Sequence, residues 1–478
     1  MAFNSLLFFL FLPSAFLAFY LAPDRWRWLV LLVASYGFYS ALKAPYLLAV
    51  LLLVTCLSYM FGLRIAAHQD EVARKRWLLG GSFACIAVLV LLKYLPVLGP
   101  DTFSIFGLNR TPSQTIISIG ASYYTFQAIS YLVDIYLEIE EPEKHFGRYA
   151  LYLAFFPKLL QGPIERAGDL LSQLKQPYQF DHDKMRSGMI LFSWGLFKKV
   201  VIADRLSLMV NAVYNDVHSF TGISLILATY LYAMQIYFDF SGYTDMALGT
   251  ARMFNITLTQ NFNSPYAATS IAEFWRRWHI TFSRWILDYI FKPLQMRWRE
   301  WKTWGTASAL VVTFLVSGLW HGASWGFIAW GLLHGVYLAV SVFYKPLQKK
   351  IHKNLRLEKT KYLKIWQTAV TFNLVCFAWI FFRANSFSDA LYVVSHLGFG
   401  LDNQVMPVLL TSGKISLSIL IMSLLMLSLV SIAIKLTNIK ETFYAKPLWF
   451  RWGAYYGLVV LSLVCNIGVD SLFVYFKF

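Results

Sequence analysis

The chain is a succession of long apolar runs separated by short polar ones. A helix needs about 20 predominantly apolar residues to cross the hydrocarbon core of a bilayer. Runs of that kind, or close to it, occupy residues 3–21, 29–42, 46–63, 77–97, 116–137, 189–214, 223–240, 307–320, 325–344, 366–382, 415–436 and 452–469, with shorter ones at 149–160 and 391–399. The pattern predicts an all-α, polytopic membrane protein of about 11–14 helices, the short ones re-entrant or interfacial. No linker, low-complexity tract or internal repeat interrupts it, so residues 1–478 read as one membrane-embedded domain.

Composition sharpens this reading. Hydrophobic residues make up 58% of the 478 residues and charged ones only 14%, against roughly 45–50% and about 25% in a soluble domain. That excludes disorder, a nucleic-acid-binding module and an ordinary soluble enzyme. The net charge of +17 would suggest a polyanion partner in a soluble protein. In a membrane protein it reflects cytoplasmic loops rich in Lys and Arg. Arg25 and Arg27, the Arg64–Arg76 segment, and above all KPLQKKIHKNLRLEKTKYLK over 345–364 are therefore expected on the cytoplasmic side. The N-terminus and residues 100–113 then fall outside. The N-terminal run has no basic n-region and reads as a retained first helix. Cys56, Cys85, Cys376 and Cys465 form no CxxC pair, which supports neither a disulfide framework nor a zinc site.

Chemistry concentrates between Tyr237 and Val336, where polar residues interrupt apolar sequence at a cost that usually signals a cavity or a partner. Helical periodicity over residues 273–304 puts Trp275, Trp278, Phe282 and Trp285 on one arc and Glu273, Arg276, Arg277, Arg284 and Asp288 on the other, one continuous amphipathic helix. His279 falls inside the aromatic arc, either as a buried histidine bonded to a backbone carbonyl or as a functional group; burial would keep it neutral. In SGLWHGASWGFIAWGLLHG (317–335), His321 lies beside Trp320 and between Gly318 and Gly322. A neutral imidazole in such a pocket is a general-base candidate. His334 suits a packing role between helices equally well, so His321 is the stronger candidate. YFDFSGYTDMALG (237–249) contributes Asp239, Ser241, Tyr243 and Asp245. The two aspartates, six residues apart, read better as partners of a buried Arg252 or Arg276 than as a carboxylate pair. FPKLLQGPIER (156–166) sets Lys158, Glu165 and Arg166 around a Gly-Pro break that suits a sheltered re-entrant turn. No nucleophile elbow, P-loop, HExxH or dinucleotide fingerprint is present, and no ligand cluster supports a metal.

Five stretches in order carry a resemblance: SYYTFQAISYLVDIYL (122–137), FPKLLQGPIER (156–166), QIYFDFSGYTDMALG (235–249), NFNSPYAATSIAEFWRRWHITFSRWILDYIFKPL (261–294) and LVSGLWHGASWGFIAWGLLHG (315–335). They resemble the membrane-bound O-acyltransferase family, in its bacterial branch around the alginate O-acetylation protein. The likeness makes residues 115–400 the family core and 401–478 additional C-terminal helices. It implies a ring of helices around a central tunnel in a bacterial inner membrane, where a cytosolic acyl donor meets an extracytoplasmic acceptor. It places the family's catalytic histidine on His321 and its second, more variable polar position on His279. Asp239, Ser241, Tyr243, Asp245, Trp275, Arg276, Arg277, Trp278, Trp320 and His334 become candidates for the tunnel or for substrate binding. Ala323-Ser324 and Thr250 depart from the usual pattern and would signal, at most, a different acceptor.

The resemblance implies acetyl transfer from a thioester co-substrate such as acetyl-CoA, with no bound cofactor, to a hydroxyl. The product would be an O-acetylated alginate, cellulose, peptidoglycan or similar polymer, made with a separate extracytoplasmic acetyltransferase partner. D-alanyl transfer from a carrier protein to teichoic acid is the alternative, and chain length favours the polysaccharide branch. A glycolipid or anion transporter is the rival of another class; it would show discontinuous helices in paired halves, which the sequence does not contain.

Overall fold

The computed structural model describes residues 1–42, 44–94, 120–355, 360–398, 404–411, 413–436 and 446–464. The expected loop over 100–113, the ends of the expected spans at 95–97, 116–119, 399 and 465–469, and Cys465 lie outside the described residues. Every element described is helical. Among the described residues six helices are long and apolar enough to cross a membrane: Tyr46–Ala67, Glu71–Lys93, Gly222–Met253, Arg299–His321, Trp325–Asn354 and Lys361–Arg383, with Leu6–Leu21 and Lys414–Met426 as shorter apolar helices.

By its internal contacts the chain divides into two compact units, residues 1–192 with 246–260, and residues 193–245 with 261–478. The first contains α1 (Leu6–Leu21), α2 (Asp24–Ser40), α3 (Pro45–Ala67), α4 (Glu71–Tyr94), α5 (Ala121–Tyr136), α6 (Phe146–Ala154), α7 (Phe156–Leu159) and α8 (Ala167–Leu174). Polar side chains buried here are bonded to one another. Tyr149 Oη donates to Ser58 Oγ at 2.6 Å, and Lys158 Nζ donates to Gln127 Oε1. Glu165 accepts from the Thr259 N–H and hydroxyl at 2.7 and 3.0 Å. The Gly-Pro segment turns back inside the protein. A Cβ on Gly162 would sit 2.2 Å from the Lys158 Cα, so only glycine allows that reversal.

The second unit begins within α9 (His182–Phe197), continues through a π-helical turn, Lys198–Ala203, into α10 (Asp204–Tyr214), and takes most of α11 (Gly222–Met253). There follow α12 (Ile271–Arg277), α13 (Ile280–Ile286), α14 (Lys292–Arg297), α15 (Lys302–His321), α16 (Trp325–Asn354), α17 (Lys361–Arg383) and α18 (Phe387–His396). Among the described residues the remaining helices are α19 (Val405–Leu410), α20 (Lys414–Leu436) and α21 (Leu448–Val464). Helices α15 and α16 form a hairpin whose faces meet through glycine. A Cβ on Gly318 would lie 2.3 Å from the Phe327 carbonyl oxygen, and one on Gly331 2.3 Å from that of Phe314. Backbones brought this close gain packing that lipid chains cannot supply. The hairpin turn carries His321 at the end of α15 and Ser324 as N-cap of α16, its Oγ accepting from the Gly326 N–H at 3.1 Å.

Candidate active site

The helix expected through residues 273–304 is broken. Helix α12 ends at Arg277 and α13 starts at Ile280; between them His279 adopts φ 42°, ψ 54°. This left-handed conformation costs a residue with a Cβ about 1–3 kcal/mol, and histidine tolerates it better than most. The preceding irregular segment clamps it. Asn261 O accepts from the Ile280 N–H at 2.9 Å, and the Asn263 N–H donates to Arg277 O at 3.0 Å. Asn261 Oδ1 accepts from the Thr281 N–H at 3.1 Å and its hydroxyl at 2.8 Å. Upstream, Ser270 caps α12 by accepting from the Glu273 N–H at 3.2 Å. Glu273 reaches back to the Thr269 N–H and hydroxyl at 2.8 and 2.6 Å, and pairs with Arg277 at 2.6 Å. Although partial burial opposes ionisation, these bonds hold the Glu273 carboxyl down to about 2.

The break turns His279 into the interior, where it is 2% exposed. Its ring lies 4.8 Å from Phe240 and 5.1 Å from Phe282. Phe282 stacks on Trp320 at 4.3 Å, and Trp320 lies 4.4 Å from His321. Three consecutive ring contacts thus join the two histidines. His279 Nδ1 stands 3.4 Å from Asn261 Oδ1. That oxygen is already identified as an acceptor by the Thr281 N–H, so Nδ1 carries the imidazole proton and Nε2 the lone pair.

His321, 4% exposed, is caged by rings: Trp330 at 5.0 Å and Phe382 at 4.9 Å edge-on, and Phe327 at 6.0 Å. His334, two turns into α16, is fully buried. Its Nδ1 accepts from Trp275 Nε1–H at 3.2 Å, so its lone pair is committed and its proton sits on Nε2. The two candidate histidines of this hairpin therefore differ chemically: one holds an indole in place, and the other ends a helix inside an aromatic cage.

The aspartates of α11 meet lysines, correcting the expectation that they pair with Arg252 or Arg276. Lys199 Nζ lies 2.7 Å from Asp239 and 2.9 Å from Asp204. Lys198 Nζ lies 2.6 Å from Asp245 and donates to Ser241 Oγ at 3.1 Å. The π-helical turn inserts an extra residue per turn and so presents both adjacent lysines to α11. Asp239 and Ser241, both buried, and the partly exposed Asp245 are thereby tied into one ion-paired cluster, and Tyr243 is buried on the same helix. Trp278 packs against Trp379 at 5.3 Å and Phe274 at 5.6 Å. Arg276 is exposed, and Arg277 faces Glu273, so neither arginine joins the histidines.

Sequence reading missed Asn261, Lys198, Lys199, Asp204 and Phe382. The lysines were visible as charges inside the apolar run 189–214. The S-x-x-E spacing of Ser270 and Glu273 was a readable capping box. Asn261 and Phe382 reach the site only through tertiary folding. Among the described residues no group of His, Cys, Asp and Glu could hold a metal ion.

Comparison with known proteins identifies the family. Residues 141–387 match the model of the membrane-bound O-acyltransferase (MBOAT) family. The chain is 35% identical to a peptidoglycan O-acetyltransferase of Helicobacter pylori, over 82% of this chain and 79% of that one. It is 35% identical to a probable alginate O-acetylase AlgI of Azotobacter vinelandii, over 94% and 87%. A teichoic acid D-alanyltransferase of Bacillus subtilis is 26% identical over 64% and 78%. The transport reading falls away: with a family match over half its length and relatives aligned over most of it, the chain belongs to the membrane-bound O-acyltransferases and is a multi-pass membrane enzyme of the transferase class.

Proposed function

We propose that this enzyme transfers an acetyl group from a cytosolic thioester, acetyl-CoA or a similar donor, to a hydroxyl leading to an extracytoplasmic polysaccharide. His321 acts as general base. It takes the proton of the attacking hydroxyl as the oxygen adds to the thioester carbonyl. When the C–S bond breaks, the departing thiolate receives that proton, so the ester and a free thiol are the products. General-base catalysis contributes typically 10²–10⁴-fold, and the remainder comes from orientation and desolvation among the aromatic rings.

The observation that carries the reading is the aromatic chain joining His321 to His279, on motifs shared with the family. His279 has its N–H directed at Asn261, which suits its Nε2 lone pair to orienting the hydroxyl rather than polarising the carbonyl. His334, whose lone pair is occupied by Trp275, supports the hairpin. The lysine-rich segment 345–364 would face the cytoplasm of the bacterial inner membrane, with the N-terminus outside, and would attract the donor's phosphates. A separate extracytoplasmic acetyltransferase would act with it in acetylating the polymer. The relatives named for alginate and peptidoglycan align over more of the chain than those named for teichoic acid, which favours acetate over D-alanine. Membranes carrying the protein, supplied separately with labelled acetyl thioester and with D-alanyl-loaded carrier protein, test this: incorporation of acetate supports the reading, and incorporation of D-alanine alone overturns it.

A further inference from the structure

Arg383 ends α17 directly after Phe382, the residue whose ring meets His321 edge-on at 4.9 Å. Its guanidinium contacts only neutral groups. Nη2 donates to Asn211 Oδ1 at 2.8 Å and lies 3.4 Å from Asn215 Oδ1, and Nη1 donates to Asn385 Oδ1 at 3.2 Å. The guanidinium carbon lies over the Tyr214 ring at 5.1 Å. Asn385 Nδ2 donates to Tyr214 O at 3.0 Å, fixing the loop after α17 to the end of α10.

Among the described residues no carboxylate lies within 4.0 Å of Arg383. The acids of this end of the unit are engaged elsewhere: Asp389 stands 3.5 Å from His218 Nε2, and Asp216 accepts from Ser219 Oγ at 2.6 Å. Lys198 and Lys199 in the same unit show the contrasting solution, each directly paired with aspartate. A cation at a helix C-terminus gains from the helix dipole, which accounts for a basic residue here. It does not account for a ring of three amide oxygens that orients the guanidinium without neutralising it. Three of its five N–H donors are used, and the planar group keeps two for a carboxylate or phosphate. Arg383 is half-buried while Asn385 and Asn215 are exposed, so the cluster opens outward one residue from the cage of His321.

We propose that Arg383, oriented by Asn211, Asn215 and Asn385, is the anion-recognition residue of the acceptor subsite, binding a carboxylate or phosphate carried by the acceptor. The inference rests on the acyl-transfer reading for its biological meaning, but its test is binding alone. Detergent-purified protein is titrated with hexamannuronate, with the neutral hexasaccharide obtained by reducing its carboxyl groups, and with an oligomer of glycerol phosphate. The wild type should bind one of the two anions at least tenfold more tightly than the neutral sugar, and which one identifies carboxylate or phosphate as the group read. Arg383→Gln should lose that preference about tenfold, and Arg383→Lys should keep part of it.

A merely structural arginine would weaken charged and neutral ligands together, leave the ratio unchanged and lower the melting temperature. An unchanged ratio in Arg383→Gln, or a wild type that binds neither anion better than the neutral sugar, overturns the proposal. Absence of acetyl transfer in the separate incorporation assay would count against the proposed reaction while leaving the binding ratio readable.

Discussion

Two regions of the second unit bury polar groups in opposite ways. Around the π-helical turn, Lys198 and Lys199 face Asp245, Asp239 and Asp204, so full charges are kept inside by pairing. Around the α15–α16 hairpin, His279, His321 and His334 are buried among Trp and Phe rings, and His279 and His334 each have a ring nitrogen held by a neutral hydrogen-bond partner. Paired charges are rigid, and breaking one strands the other in low dielectric. Imidazoles can gain or lose a proton where they stand. The first arrangement is suited to holding helices together and the second to moving a proton between reactants.

The sharpest way to break that contrast is to remove a charge. Lys199→Met leaves Asp204 and Asp239 without their shared cation and should destabilise the fold by about 3–5 kcal/mol, read as a lower melting temperature in detergent. Replacing Asp239 by Asn in the same chain should recover part of the loss. A neutral-region substitution should do much less. His334→Phe keeps the ring volume but leaves the Trp275 indole N–H without its acceptor, at a cost of about 1–3 kcal/mol. The same measurement checks it, with fluorescence of the tryptophans reporting the local change.

The smallest effect belongs to the cap that shapes the break before His279. Glu273→Gln should cost about 0.5–2 kcal/mol at neutral pH. Because the folded-state carboxyl is held down to about 2, the contribution of Glu273 is complete above its ordinary range near pH 4–5. It is lost as pH falls through that range towards 2. The gap in stability between wild type and Glu273→Gln should therefore narrow between pH 5 and pH 3. A gap that stays constant would mean that Glu273 is not bonded as the carboxylate.

Much of this was legible in the sequence, and the remainder has identifiable causes. Apolar run length placed the spanning helices, because crossing hydrocarbon is a requirement on local composition. The polar islands at 237–249 and 317–335 marked where side chains must find partners. Periodicity failed at Trp278 and His279, since the helix there is broken by hydrogen bonds that Asn261 accepts and Asn263 donates, residues outside the window that periodicity reads. It failed similarly for Asp239 and Asp245: a strict helical spacing does not show that a π-helical turn will bring two consecutive lysines onto one neighbour. The chemical difference between His321 and His334 was not legible, because it rests on the Trp275 hydrogen bond, a contact across 59 residues.

The central claim is that His321 accepts the proton of the attacking hydroxyl. Its most direct test is the rate of thiol release from an acetyl thioester by purified His321→Ala in the presence of acceptor, beside wild type of matched melting temperature. The account predicts a fall of about 10²–10⁴-fold. A variant that folds normally and releases thiol at the wild-type rate would contradict it.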